Sequence, residues 1–235
     1  MKKPDRVFCL FEQSGTFKQV FLDEGIIAYD VDIENNFSKT DLQCDLFQEI
    51  EKAWVGEKSI FTDITSDDLI LAFFPCTYFS SQSNLSMNFS CGNMRCYPKK
   101  RKYEIVEERA RKRLFYYLTL LHLFEVVETK GLRMILENPW HCSYLAGNFI
   151  YMPTIIDYDR STRGDTFKKP TAYWFVNCNP GTLITYDKNY NRKTIVDFNG
   201  FGRSIISPAY AKNFVYDFIL EKKQTHTQLN LFNKL

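Results

Sequence analysis

Apolar residues fall along this chain in short runs separated by amphipathic stretches, regularly enough to name elements. "RVFCLF", Arg6 to Phe11, reads as a buried strand, "EQSGT" as a turn, and Phe17 to Glu24 as an amphipathic helix closed by Gly25. "IIAYDVDI" is a second strand with acidic residues at its end, "DLQCDLFQEIEKA" carries a short strand into a helix, and "DLILAFFPC" is the next strand. From Glu104 to Thr129, Val106, Ala110, Leu114, Tyr117, Leu118 and Leu121 recur at helical spacing, which predicts one buried face, and Gly131 ends the helix. "RMILENP" is a strand that stops on proline. "TIIDYD" and "TAYWFVN" predict two more strands, read as antiparallel, and Ser207-Pro208 opens a last helix through Leu220.

Strand, glycine turn, helix and strand in that order is the pattern of a nucleotide-binding α/β half. The expected fold is therefore α/β: an open, doubly wound, mostly parallel sheet with helices on both faces and an antiparallel strand near the C-terminus. A chain of 235 residues leaves room for one substantial core, so residues 1–222 are read as a single domain and 223–235 as a tail. Open α/β sheets put ligands at the carboxyl ends of their strands. The run "LILAFFPCTYFS" stops abruptly at Pro75 and leaves Cys76 at that edge, a candidate nucleophile, although a thiol is as often a small buried hydrophobe. Glu137 and Asn138, just before Pro139, reach the same edge.

Composition narrows the setting. With 45% hydrophobic and 25% charged residues the chain is expected to fold rather than stay disordered. No apolar stretch has the length of a signal peptide or a bilayer span, and the seven cysteines are an odd number, so the expectation is a cytoplasmic protein with reduced thiols and no membrane partner. Cys91 and Cys96 do not have zinc-site spacing, and no metal site is assigned. The net charge is only +2, but Lys99-Lys100-Arg101-Lys102 and Arg109, Arg111, Lys112 and Arg113 crowd together after the Pro-Cys turn. Such a run is a solvated helix face or, beside a site that acts on a polyanion, its grip.

In this order, "LFEQSGTF", "FPCTYFS" and "LENP" resemble motifs of the DNA (cytosine-5) methyltransferase family, most closely its small phage and prophage members. The similarity spans about Val7 to Pro139, and the Pro-Cys and Glu-Asn pair is its specific part. The resemblance implies methyl transfer from S-adenosylmethionine to carbon 5 of cytosine in DNA. Cys76 would add to carbon 6 as a thiolate, Glu137 would meet ring nitrogen N3, and Asn138 would orient the loop. It implies that Phe11, Ser14, Gly15, Thr16 and Pro75 flank the methionine part of the cofactor and that Asp30 takes the ribose hydroxyls. Asp45 is the candidate for the adenine amino group and Asp63 the second choice; taken alone, Asp30 and Asp45 read equally as helix caps. Tyr78, Phe79, Ser80, Lys100 and Arg101 would grip DNA backbone and a flipped base.

The chain also departs from the family pattern. Glu12-Gln13-Ser14-Gly15-Thr16 stands where the family shows a Phe-x-Gly-x-Gly turn with more small residues, which implies a crowded pocket floor and weakened cofactor binding. The family's Gln-x-Arg-x-Arg motif is not evident. Its closest counterparts are Arg160 and Arg163, with Lys168 and Lys169, in "DRSTRGDTFKKPT", expected to touch DNA or else to be ordinary surface charge. Only about sixty residues separate Pro139 from Gly200-Phe201-Gly202, so the target-recognition region at about 140–200 is reduced and specificity should be weak or short.

In the tail, "QLNLF" resembles the peptide by which bacterial replication and repair proteins dock on the sliding clamp, through Gln228, Leu229, Leu231 and Phe232; the alternative is a tail packed on its own sheet. Two rival readings remain. An amino-methyltransferase on adenine or cytosine would use "FFPCTYF" as its amine-holding turn but leaves "ENP" without a job. A catalytically silent methyltransferase-fold protein would keep the scaffold to bind nucleic acid or a replication partner.

Overall fold

Seven strands, β1 (Arg6–Leu10), β2 (Ile27–Asp32), β3 (Leu42–Gln43), β4 (Leu69–Ala72), β5 (Arg133–Pro139), β6 (Ile155–Asp157) and β7 (Thr171–Val176), form one sheet in the order β3-β2-β1-β4-β5-β7-β6. The computed structural model describes residues 1–140, 143–186 and 205–223. Gly200-Phe201-Gly202 and the tail residues Gln228, Leu229, Leu231 and Phe232 lie outside the described residues.

The first five strands are mutually parallel, β7 runs antiparallel to β5, and β6 runs antiparallel to β7. Only β7 is therefore reversed against the rest. The central runs "VFCL" and "LILA" are buried at every residue, as strands covered on both faces must be. Alternate residues feed opposite cores. Val7, Cys9, Leu69, Leu71, Ile135 and Tyr173 face Phe17 and Phe21 of α1 (Thr16–Asp23) together with Phe214. Phe8, Leu10, Ile70, Ala72, Met134 and Leu136 face Ile50 of α2 (Leu46–Trp54) together with Leu120, Leu123 and Phe124.

Short helices α3 (Ser81–Leu85) and α4 (Gly92–Arg95) precede α5 (Lys99–Thr129), and α6 (Ser143–Asn148) follows β5. The periodicity gave no sign of these three short turns. The last helix, α7 (Pro208–Phe214), is capped by Ser207 Oγ on the Tyr210 amide (3.1 Å) and continues as π-helical turns over Val215–Leu220.

One expectation is corrected. In α5 the buried residues are Thr119, Leu120, Leu123, Phe124, Val126 and Val127, whereas Leu114 and Leu118 are 55% and 42% exposed. The reason is length: 31 residues at ~1.5 Å each make a helix about twice as long as the longest strand, so its first half overhangs the carboxyl edge with no sheet beneath it. The described part of 140–200 holds β6 and β7, the two strands expected there, which complete the sheet. Among the described residues no helix is long and apolar enough to cross a membrane.

Candidate active site

The strand order reverses between β1 and β4, and there the carboxyl edge opens into a cavity of about 630 Å³. Phe11 to Ser14, Asp32 to Glu34, Asp45 to Phe47 and Phe73 to Thr77 line it with Tyr116, Glu137, Pro139, Lys169 and Ile206. Its shape starts with two backbone turns. Phe11, at the end of β1, has φ 59°, and Gly15, just before α1, has φ 74°, where a Cβ would be strained. Between them Glu12, Gln13 and Ser14 are folded onto the cavity wall. Phe11 also packs edge-on against Phe47 (5.7 Å) and Phe74 (5.2 Å), which makes that wall apolar.

Cys76, in the turn after β4, and Glu137, on the neighbouring strand β5, line this one cavity. The Cys76 thiol is half-buried. Burial pushes its pKa up; Lys169 opposes the shift and Glu137 adds to it. Glu137 lines the cavity but is only 6% exposed, and its inaccessible Oε1 has no hydrogen-bond partner among the described residues, its nearest charge being the Arg160 guanidinium at 3.6 Å. Asn138 donates from Nδ2 to the Phe74 carbonyl (2.8 Å), tying the end of β5 to the turn that carries Pro75 and Cys76. Arg113 holds the far side of that turn, from Nε to the Tyr78 carbonyl (2.8 Å) and from Nη2 to Asn84 Oδ1 (2.6 Å), and Arg109 lies over the Tyr78 ring.

Behind Glu137 the stretch "DRSTRGD" is interior, not a surface loop. Arg160 is fully buried, bonded from Nε to Asp165 Oδ2 (2.6 Å), with Nη1 3.6 Å from Glu137 Oε1. Burial acts against its charge, and Asp165, Tyr173, Tyr210 and Glu137 more than restore it. Arg163 bonds Asp217 (2.7 Å) and Asp157 (3.3 Å), and its guanidinium sits 4.5 Å from the Phe218 ring centroid. Tyr210 joins the network through Tyr173 (2.9 Å) and Asp157 (2.9 Å). The expected DNA contacts of Arg160 and Arg163 are therefore corrected: Arg160 holds Glu137 from behind, and Arg163 belongs to the core.

At the other end of the cavity the acids are placed differently from the expectation. Asp30 is fully buried under the wall beside Lys18 (3.4 Å), and burial, then the Glu12 charge, push its pKa up to about 7. It does not line the cavity. Asp32, two residues on and on the same strand face, does, together with Glu34. Asp45 reaches the cavity, but its carboxylate is occupied in capping α2, accepting from the Phe47 amide (3.0 Å) and Gln48 Nε2 (3.0 Å). Asp63 is corrected outright: its carbonyl accepts Arg6 from the amino end of β1, across the sheet from the cavity. Ser14 lines the cavity, Gly15 supplies the turn, and Thr16 starts α1.

The proposed nucleic-acid contacts divide as well. Phe79 is fully buried against Phe74 and Tyr144 and belongs to the core, so it is not a base-gripping residue. Ser80 accepts the Ser83 amide on its Oγ (3.4 Å) at the start of α3. Tyr78 is half-buried between Arg109 and Tyr116, and Lys169 lies in the cavity next to the thiol. Lys100 and Arg101 are exposed on the overhang of α5, Arg101 paired with Glu104 (3.1 Å). Of the cavity positions that the sequence reading passes over, Asp32 is the readable one, because it is the last residue of β2 and ligands gather beyond strand ends. No protein-family model matches the chain, and no curated protein matches it.

Proposed function

We propose that this protein is a DNA (cytosine-5) methyltransferase that works by cysteine addition, with S-adenosylmethionine as the methyl donor. The observation that carries the reading is the meeting of a partly buried thiol, Cys76, in the turn after β4, and a buried carboxyl held by Arg160, Glu137, near the end of the adjacent strand β5, in the lining of one cavity. The seven-stranded sheet with a reversed strand near the C-terminus supports it, being the fold that the motif resemblance implies.

The cavity fits the nucleoside end of the cofactor. Phe11, Phe47 and Phe74 offer an apolar wall for a base, Asp32 and Glu34 offer acceptors for ribose hydroxyls, and the acidic lining suits a cationic sulfur. When bound, the cofactor supplies an electrophilic methyl carbon. The chain's own residues prepare the base for it. Cys76 Sγ, as a thiolate, bonds to carbon 6; the displaced π pair is taken up across the ring as Glu137 hands a proton to N3, and carbon 5 becomes electron-rich. After transfer the carbon 5 proton leaves to water, N3 returns its proton to Glu137, and the Sγ–C6 bond breaks. Lys169 favours the thiolate against burial, and Arg160 fixes the Glu137 carboxyl.

A cytosine must leave its stack to reach such a cavity, and the basic overhang of α5 beside the opening supplies phosphate contacts. The test is covalent capture on 5-fluorocytosine DNA with S-adenosylmethionine present. An adduct is expected for the wild type and none for Cys76→Ala; a wild type that yields neither adduct nor methyl-labelled DNA would overturn the proposal. Docking on a bacterial sliding clamp through Gln228, Leu229, Leu231 and Phe232 belongs to the same proposal, and a tail peptide with Leu231 and Phe232 changed to Ala should lose clamp binding.

A further inference from the structure

Backbone amides that converge before a helix form a seat for an anion. The positive φ angles at Phe11 and Gly15 build one here, directing the Ser14 and Gly15 amides to a point just ahead of the eight-residue helix α1. The seat is taken. Glu12 Oε1 accepts from the Ser14 amide (2.7 Å) and the Ser14 hydroxyl, with the Gly15 amide near enough to favour the charged carboxylate. The same Ser14 hydroxyl touches Thr16 Oγ1 at 2.7 Å, so the turn closes around the carboxylate of its own residue 12. Glu12 is only 9% exposed, lines the cavity, and stands close enough to Asp30 and Asp32 for their charges to interact.

We propose that Glu12 fills the carboxylate seat of the cofactor pocket, so that the pocket discriminates against the amino-acid end of an S-adenosylmethionine-type ligand while accepting its adenosine and sulfur. The inference rests on reading the cavity as that pocket. An incoming carboxylate meets one already bonded to the Ser14 amide, in a cavity end that also carries Asp32 and Glu34. The nucleoside meets no such rival. Glu12 is thus a specificity-determining residue whose removal frees the Ser14 amide and hydroxyl without touching the base or ribose contacts.

Titration calorimetry with S-adenosylhomocysteine and 5′-methylthioadenosine tests this, because the two share adenosine and a thioether and differ in the amino-acid end. The wild type is expected to bind them within about threefold of each other. Glu12→Ala should bind S-adenosylhomocysteine about tenfold more tightly than the wild type, with 5′-methylthioadenosine changed less than about twofold. Glu12→Gln, which keeps an acceptor on the seat, should stay within about threefold of the wild type for both. A wild type that prefers S-adenosylhomocysteine by about tenfold or more overturns the inference and leaves the cofactor pocket standing. The same holds if Glu12→Ala gains nothing while still binding 5′-methylthioadenosine, or if Glu12→Gln gains as much as Glu12→Ala. If neither ligand binds the wild type or Glu12→Ala, the cofactor reading itself fails and takes the inference with it.

Discussion

At the β4–β5 end of the cavity each candidate group has a cation within reach: Glu137 has Arg160 behind it, and Cys76 has Lys169 beside it. At the β1–β2 end Glu12, Asp32, Glu34 and Asp45 share the wall, and the nearby cation, Lys18, lies beneath them, engaged with Asp30 and Asp41. One end is organised by pairing and the other by crowding of like charge. The difference teaches where each should be sensitive. Paired groups are fixed in place and costly to separate, whereas crowded carboxyls shift one another's protonation and favour cationic ligands.

Breaking the paired end should have the largest effect. Arg160→Ala leaves Asp165 and Glu137 buried without their cation, and urea unfolding should show a loss of about 3–5 kcal/mol. The crowded end is sharpened by Asp30→Asn. Because the folded-state pKa of Asp30, about 7, lies above its ordinary 3.8, the folded protein binds the extra proton, and stability falls as pH rises through that window. Measured at pH 5 and pH 8, the wild type should lose on the order of 2–4 kcal/mol relative to Asp30→Asn. A smaller effect separates the two cations that serve the paired end. Lys169→Ala should move the pH profile of Cys76 alkylation to higher pH, since the chief influence opposing burial is then gone, while Lys169→Arg should leave it near the wild type. The smallest is Arg113→Ala, which removes two bonds to the turn after Cys76. Unfolding should show a loss of ~1 kcal/mol, and amide exchange should speed up across residues 78–84 but not at the acidic end.

Much of this molecule is legible in its residues, and the illegible parts share a cause. The strand runs ending at Phe11, Pro75 and Pro139 announce a sheet edge because buried parallel strands are apolar on both faces and stop where the chain turns. Cys76 and Glu137 follow from counting along those runs. Arg160 and Arg163 were misjudged because arginine defaults to the surface, and their partners Asp165, Asp157 and Asp217 declare themselves only once β6, β7 and the last helix are assembled. Phe79 looked available for a base because it follows the thiol closely, yet the overhanging α5 and α6 cover it. The face of α5 was misread for the same kind of reason: periodicity reports which residues align, not whether anything lies under them.

The front of α5 is a rod clamped at the rear and free along much of its length, and its inner side touches the chain just past Cys76 through Arg109 and Arg113. On the proposed function, DNA lying on that rod would load the same two guanidinium groups that hold the turn after Cys76. Docking and the aim of the sulfur would then be one mechanical event, with the projecting length of the rod as the lever arm between them.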